Sequence, residues 1–145
     1  MNPFPLVLHV DDNPADAVLL REALAEGKHQ VHISNVTDGE QAMAFLHRIL
    51  QYGDARRPDL VILDLNLPKK DGRAVLAEVK ADIKLRAIPV VVFSTSRSIL
   101  EIVRTYELGA NCYVSKPGNL KDYFSAVKSI EEFWFGFASL PREEK

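Results

Sequence analysis

The sequence predicts an α/β fold, a doubly wound parallel sheet with strands in the flavodoxin-like order 2-1-3-4-5. Three observations carry that prediction. Five short apolar runs alternate with five stretches of helical periodicity. Runs such as Leu60-Val61-Ile62-Leu63 are apolar without a break, as strands buried on both faces are. The chemically informative polar residues sit where these runs end, at the edge where open α/β sheets bind their ligands.

Leu6 to Val10 is the first strand and ends in Asp11-Asp12. Asn13-Pro14 opens a helix as a cap followed by proline at the first helical position, Asp16 adds an acid favoured by the helix dipole, and Gly27 is expected to stop it. Val31 to Val36 alternates as a half-exposed edge strand does. Asp38-Gly39-Glu40-Gln41 reads as a capping box for a helix reaching Tyr52 and closed by Gly53. The polar loop from Asp54 to Pro58 leads into the third strand, which runs into Asp64 and is followed by a helix after Gly72. Pro89 precedes the strand Val90 to Phe93, which ends in Ser94-Thr95-Ser96. Ser98 to Glu101 begins a fourth helix that Gly109 terminates. Asn111 to Ser115 is the fifth strand, followed by Lys116-Pro117, and a closing helix from about Leu120 carries Tyr123, Phe124, Val127, Ile130, Phe133 and Trp134. Only Pro141 to Lys145 read as frayed.

A chain of 145 residues suits one domain over 1–145, with its core at about 6–135 and a tail at 136–145. The 47% hydrophobic and 26% charged shares are those of a globular protein. A formal net charge of −2 provides no electrostatic footprint for nucleic acid. The single cysteine, Cys112, has no internal disulfide partner and suits a reducing compartment. The first apolar run is too short for a signal peptide, and no stretch reaches transmembrane length, so a soluble, cytoplasmic protein is expected.

In the predicted strand order the first and third strands are neighbours, so Asp11, Asp12 and Asp64 converge on one pocket. Converging carboxylates repel one another, and an oxygen-only donor set calls for a hard divalent cation, Mg²⁺ rather than zinc. Such a cation neutralises an incoming phosphoryl group, Lys116 adds a second positive charge, and Ser94 offers a hydroxyl. Asp64 is then the candidate nucleophile, forming an aspartyl phosphate. Taken singly, each residue has a plainer role. Asp11 or Asp12 caps a helix, Ser94 to Ser96 precede one, Asp64 lies in a turn, and Lys116 lies in a solvated loop. Their joint placement on one sheet edge favours the chemical role.

Asp11-Asp12, Asp64 to Pro68 with Asp71-Gly72, Pro89 to Thr95, and Gly109 to Pro117 together resemble the receiver domain of two-component response regulators. The resemblance spans roughly Leu6 to Ile130. It implies that Asp64 accepts a phosphoryl group from a histidine kinase. It also implies Mg²⁺ held by Asp12, Asp64 and the Asn66 backbone carbonyl, with Asp11 acting through water. Ser94, with Thr95 beside it, matches the switch hydroxyl, Tyr113 the switch aromatic and Lys116 the family lysine, and the Lys116-Pro117 bond is expected to be cis. The Asp54–Pro58 loop, Leu67 to Gly72, Phe93 to Ser96 and the ending around Trp134 are similar to single-domain bacterial-phytochrome response regulators. This narrower resemblance implies a phytochrome kinase as partner and a homodimer through the fourth helix, fifth strand and fifth helix. Expected catalysis extends no further than the chain's own phosphorylation and dephosphorylation.

Three rivals fit less well. Phosphatases of the haloacid dehalogenase type need a second aspartate where this chain has Asn66. Flavodoxin needs a serine- and threonine-rich loop after the first strand. A pseudo-receiver would not be expected to carry the intact acidic set with Lys116. The aromatic end (Phe133, Trp134, Phe135 and Phe137) either seals the core or joins the interface, with Phe137 expected to be the most exposed.

Overall fold

Residues 4–141 are described by a computed structural model of the chain. β1 (Leu6–Val10), β2 (His32–Val36), β3 (Leu60–Leu63), β4 (Val90–Ser94) and β5 (Cys112–Ser115) pair in parallel in the order β2-β1-β3-β4-β5. The predicted fold class and strand order are those observed. β1, β3 and β4 are buried along their whole length, while β2 at one edge is mostly half-exposed. β5, at the other edge, is partly buried throughout.

Side chains alternate across the sheet, so each strand feeds two apolar layers. Leu8, Val10, Val61, Leu63 and Val92 pack against Ala42, Phe45 and Leu46 of α2 (Gly39–His47) and Val75, Leu76 and Val79 of α3 (Gly72–Ala81). On the opposite face Val7, Ile62, Val91 and Phe93 meet Leu20 and Leu24 of α1 (Pro14–Ala25) and Tyr123, Val127 and Ile130 of α5 (Leu120–Glu131). α4 (Ile99–Glu107) is less deeply seated, with Thr105 its buried residue.

Each of the five α-helices starts on a side-chain cap. Asn13, Asp38, Asp71, Ser98 and Asn119 each accept a hydrogen bond from a backbone N–H in the first turn. At α2 the expected box closes differently: the Gln41 side chain accepts from the Thr37 N–H, while Asp38 accepts from the Gln41 N–H.

Several boundaries and one peptide bond differ from the sequence reading, β2 beginning at His32 rather than Val31 and β4 running on to Ser94. α1 ends at Ala25 with Glu26 as its cap and Gly27 directly after it, where the sequence reading placed the stop. α2 stops at His47 rather than Tyr52. Arg48 adopts a left-handed φ of 58°, its N–H donates to the Phe45 carbonyl and that of Ile49 to Ala44, a closure usually made with glycine. A short 3-10 turn then covers Leu50–Tyr52. The helical ending is also divided: α5 gives way at Glu132 to a π-helical turn, Glu132–Phe137, in which the Ala138 N–H donates to the Phe133 carbonyl at 2.8 Å. β5 begins at Cys112, one residue after Asn111. No cis peptide bond occurs among the described residues, so Lys116-Pro117 is trans. The lysine is aimed inward without it, because its N–H extends the β4–β5 ladder to the Ser94 carbonyl at 2.7 Å and its side chain is drawn to carboxylates.

Phe137 is 83% exposed and Phe133 also faces solvent, whereas Trp134 and Phe135 pack partly against the core layer of α1 and α5. Of the two rings expected to seal the core, Trp134 does so and Phe133 does not, Phe135 packing there in its place, while Phe137 is the most exposed ring as expected. No helix among the described residues is long and apolar enough to cross a membrane. The end expected to fray, beyond Pro141, lies outside the described residues.

Candidate functional site

Strand register assembles the site. Val10 is paired with Leu63, so Asp11 and Asp64 follow side by side at the carboxyl edge. Backbone bonds continue past the strands and fix them there: the Asp64 N–H donates to the Val10 carbonyl at 2.9 Å and the Asp11 N–H to the Val36 carbonyl at 3.0 Å. Ser94 is paired with Ser115, which brings Lys116 to the same edge from the far side. Gly72 lets the chain turn tightly here, since a Cβ at that position would run into the Asp64 carbonyl oxygen and the Leu65 backbone.

Carboxylate oxygens of Asp11, Asp12 and Asp64 all lie within 4.8 Å of one another, the one such group of potential metal ligands among the described residues. Asp11 is buried, Asp64 partly buried and Asp12 exposed. Lys116, only 8% exposed, donates to Asp11 Oδ2 at 2.7 Å, Asp16 Oδ2 at 2.9 Å and Asp64 Oδ2 at 3.3 Å. Asp11 also accepts from the Asn13 N–H at 2.9 Å, so both of its oxygens are engaged within the protein. The Asn66 N–H donates to Asp64 Oδ1 at 3.3 Å.

These contacts shift the charges in opposite directions. Burial alone would raise the Asp11 carboxyl, but the His9 ring nitrogen 3.6 Å away, hydrogen bonds from Lys116 and the Asn13 N–H, and the lysine's charge bring it down to about 2. Burial and the neighbouring Asp11 anion raise Asp64 above the usual carboxylate value, against the opposing pull of Lys116. Burial disfavours the charged form of Lys116, yet its bonds and attraction to Asp11, Asp16 and Asp64 prevail and raise it above an ordinary lysine. The arrangement thus contains a firmly ionised inner acid, a fixed cation, and an outer carboxylate burdened by its surroundings.

Ser94 is fully buried and its Oγ has no hydrogen-bond partner, a costly state for a hydroxyl that points to an acceptor it can serve. Thr95 beside it is exposed. Tyr113 is half-buried; its hydroxyl donates to the Ser96 carbonyl at 2.9 Å and its N–H to the Tyr106 hydroxyl at 3.0 Å. Ser115 Oγ donates to the same Ser96 carbonyl at 3.2 Å. The loop after β4 is therefore pinned to β5 through Ser96, a role that sequence reading missed because a backbone carbonyl leaves no trace in a motif. It also missed Asp16 as a partner of Lys116. Arg73, bonded to both Asp71 and Glu101, is a further link absent from that reading, and ties the start of α3 to the start of α4.

An acidic cluster, an inward lysine and a buried serine on one sheet edge agree with a comparison by sequence: residues 7–128 match the response regulator receiver domain. The chain belongs to that family. It is a signalling receiver, which sets it apart from classical enzymes and leaves the dehalogenase-type and flavodoxin alternatives without support. The response regulator Rcp1 of Synechocystis sp. is 46% identical over 140 residues, covering 97% of this chain and 95% of that protein. The phosphorylated cyanobacterial phytochrome response regulator RcpA superposes with a TM-score of 0.92 at 50% identity, over 96% of this chain and 99% of its own. The Mn²⁺-bound form of Rcp1 gives 0.91 at 45% identity, over 95% and 99%. The three-carboxylate, oxygen-only set of this receiver fits a divalent cation of that hard class.

Proposed function

We propose that this receiver takes a phosphoryl group onto Asp64 from the phosphohistidine of a sensor histidine kinase of the bacterial-phytochrome type. The observation that carries this reading is the partly buried Asp64 carboxylate lying 3.3 Å from the Lys116 ammonium on the sheet edge that also holds the unpartnered Ser94 hydroxyl. In the transfer the phosphorus–nitrogen bond to histidine breaks, its electron pair stays on the imidazole, and an Asp64 oxygen forms the new bond to phosphorus. In hydrolysis a water oxygen replaces the aspartyl oxygen, releasing inorganic phosphate and the Asp64 carboxylate. The chain catalyses these steps on itself alone.

Mg²⁺ is the cation proposed, held by Asp12, Asp64 and the Asn66 backbone carbonyl, where it would offset the phosphoryl charge. Asp11 acts through water, in keeping with the engagement of both its oxygens by Lys116 and the Asn13 N–H. Lys116 pairs with a phosphoryl oxygen and the Ser94 hydroxyl donates to another, which satisfies its buried oxygen. Drawing Ser94 and Thr95 toward the phosphoryl group pulls the loop after β4 and the Ser96 carbonyl, and so Tyr113 with them. Only contacts that differ between the two states bias the switch, and these do. The surface altered is α4-β5-α5, where Ile99, Val103 and Tyr106 form an exposed stripe suited to a second copy of the chain. The support for a phytochrome partner is the likeness to RcpA and the sequence pattern described above.

Incubation with acetyl phosphate and Mg²⁺, followed by intact mass, tests the reading. A single phosphoryl adduct is expected, abolished by EDTA and by Asp64→Asn. A folded wild-type chain with no adduct would overturn the reading and favour a pseudo-receiver.

A further inference from the structure

Asp16 reaches the pocket from a helix rather than from a strand end. It lies in the first turn of α1, where its N–H donates to the Asn13 side chain at 3.3 Å. Its backbone carbonyl accepts from the Tyr123 hydroxyl of α5 at 3.4 Å. The helix dipole accounts for an acid at this position but not for a contact to a lysine 100 residues away. Its side chain, 19% exposed, is nearer to the Lys116 ammonium than Asp64 is, 2.9 Å against 3.3 Å.

An ammonium has three N–H donors, and Asp11, Asp16 and Asp64 take one each. The ammonium also lies 5.9 Å from the centre of the Phe93 ring, which contacts Tyr123, so aromatic groups wall the slot on the α5 side. A phosphoryl group on Asp64 adds strong acceptor oxygens and has to draw one donor from an existing partner. Asp11 is fully buried, and leaving a buried charge unpaired is costly. Asp16 is open enough for water to take the lysine's place. It is the partner able to yield.

We propose that Asp16 is a positioning residue for phosphoryl capture: it holds the Lys116 ammonium on the α1 side of the pocket and releases it to the incoming phosphoryl oxygen. Its negative charge thereby sets how tightly Lys116 grips that group. The proposal rests on the reading of Asp64 as acceptor and Lys116 as its cation, and adds a competitor to that pair.

Beryllium trifluoride, which binds a carboxylate oxygen as a phosphoryl mimic, is the probe, titrated into the full chain with Mg²⁺ and followed by ¹⁹F NMR. Asp16→Asn is expected to bind it about three- to tenfold more tightly, the range for losing one partly exposed charge competitor. Asp16→Glu, which restores the anion, should return to within about twofold of wild type, as should Asp122→Asn, which removes a first-turn acid of α5 that pairs with Asn119 instead. In a Lys116→Met background Asp16→Asn should have no effect, since the cycle isolates the coupling. Unchanged or weaker binding by Asp16→Asn, an equal gain in Asp122→Asn, or a gain that persists without Lys116 would each overturn the proposal. The Asn and Glu comparisons decide it even if the Lys116→Met chain does not fold. Failure of the wild-type chain to bind the probe would instead sink the reading of Asp64 itself.

Discussion

Asp64 is an acid kept in a place that resists its charge. Burial and the Asp11 anion raise its pKa, with Lys116 only partly compensating. A carboxyl whose folded value is raised protonates more readily in the fold than in the unfolded chain. Its ionisation therefore subtracts stability once pH passes the unfolded value of about 4, and the deficit is complete above the raised folded value. The neutral isostere Asp64→Asn removes that deficit while keeping one acceptor oxygen, for either the Asn66 N–H or Lys116, which bond different oxygens of Asp64. In EDTA at pH 7 the variant should melt a few degrees above wild type, and the gap should shrink as pH falls toward about 4. Adding Mg²⁺ should stabilise the wild type more than the variant, because a ligand of the folded state stabilises by mass action. A variant that melts lower in EDTA would show that Asp64 is structurally supported rather than burdened.

Placement at the level of elements depends on how closely the chain can approach itself after β3. At Gly72 a Cβ would meet the Asp64 carbonyl oxygen, whereas at Gly118 it would meet nothing within 4 Å. Gly72→Ala should accordingly cost about 1–3 kcal/mol, as overpacking does, and slow phosphorylation by shifting Asp64; Gly118→Ala should be nearly silent. Urea denaturation and the acetyl phosphate time course measure the two effects. The same contrast explains what was legible in the sequence. Strands, their order and the caps at Asn13, Asp38 and Ser98 were readable because each rests on local pattern. The end of α2 was not, since Arg48 takes a left-handed conformation that sequence assigns to glycine. Neither was the π-helical turn after Glu131, which keeps helical periodicity while changing its hydrogen bonds. Asp11, Asp12, Asp64, Ser94 and Lys116 were found from their shared sheet edge. Asp16 escaped because its contact depends on how α1 sits against the end of β5, a distance that no spacing encodes.

For the molecule as a whole, the question is what an exposed apolar surface on α4 is worth. Ile99, Val103 and Tyr106 fall on one helical stripe and are each about half or more exposed, and Phe137 lies beyond α5. Burying such side chains is worth about 1.5–3 kcal/mol each. Three from each of two copies, with Val103 and Tyr106 already about half buried, amount to a gross gain of the same order as the roughly 4–15 kcal/mol that association costs. A pairing so balanced is one that a modest rearrangement of the loop after β4 can tip, which is what a switch needs. Light scattering across a concentration series should find more dimer after treatment with acetyl phosphate and Mg²⁺ than before. Val103→Glu, which sets a charge in the middle of the stripe, should leave the chain monomeric while the Asp64 adduct forms at an unchanged rate. Phe137→Ser separates the stripe from the aromatic turn: a dimer that survives Val103→Glu but not Phe137→Ser would move the interface off α4 and onto the π-helical turn.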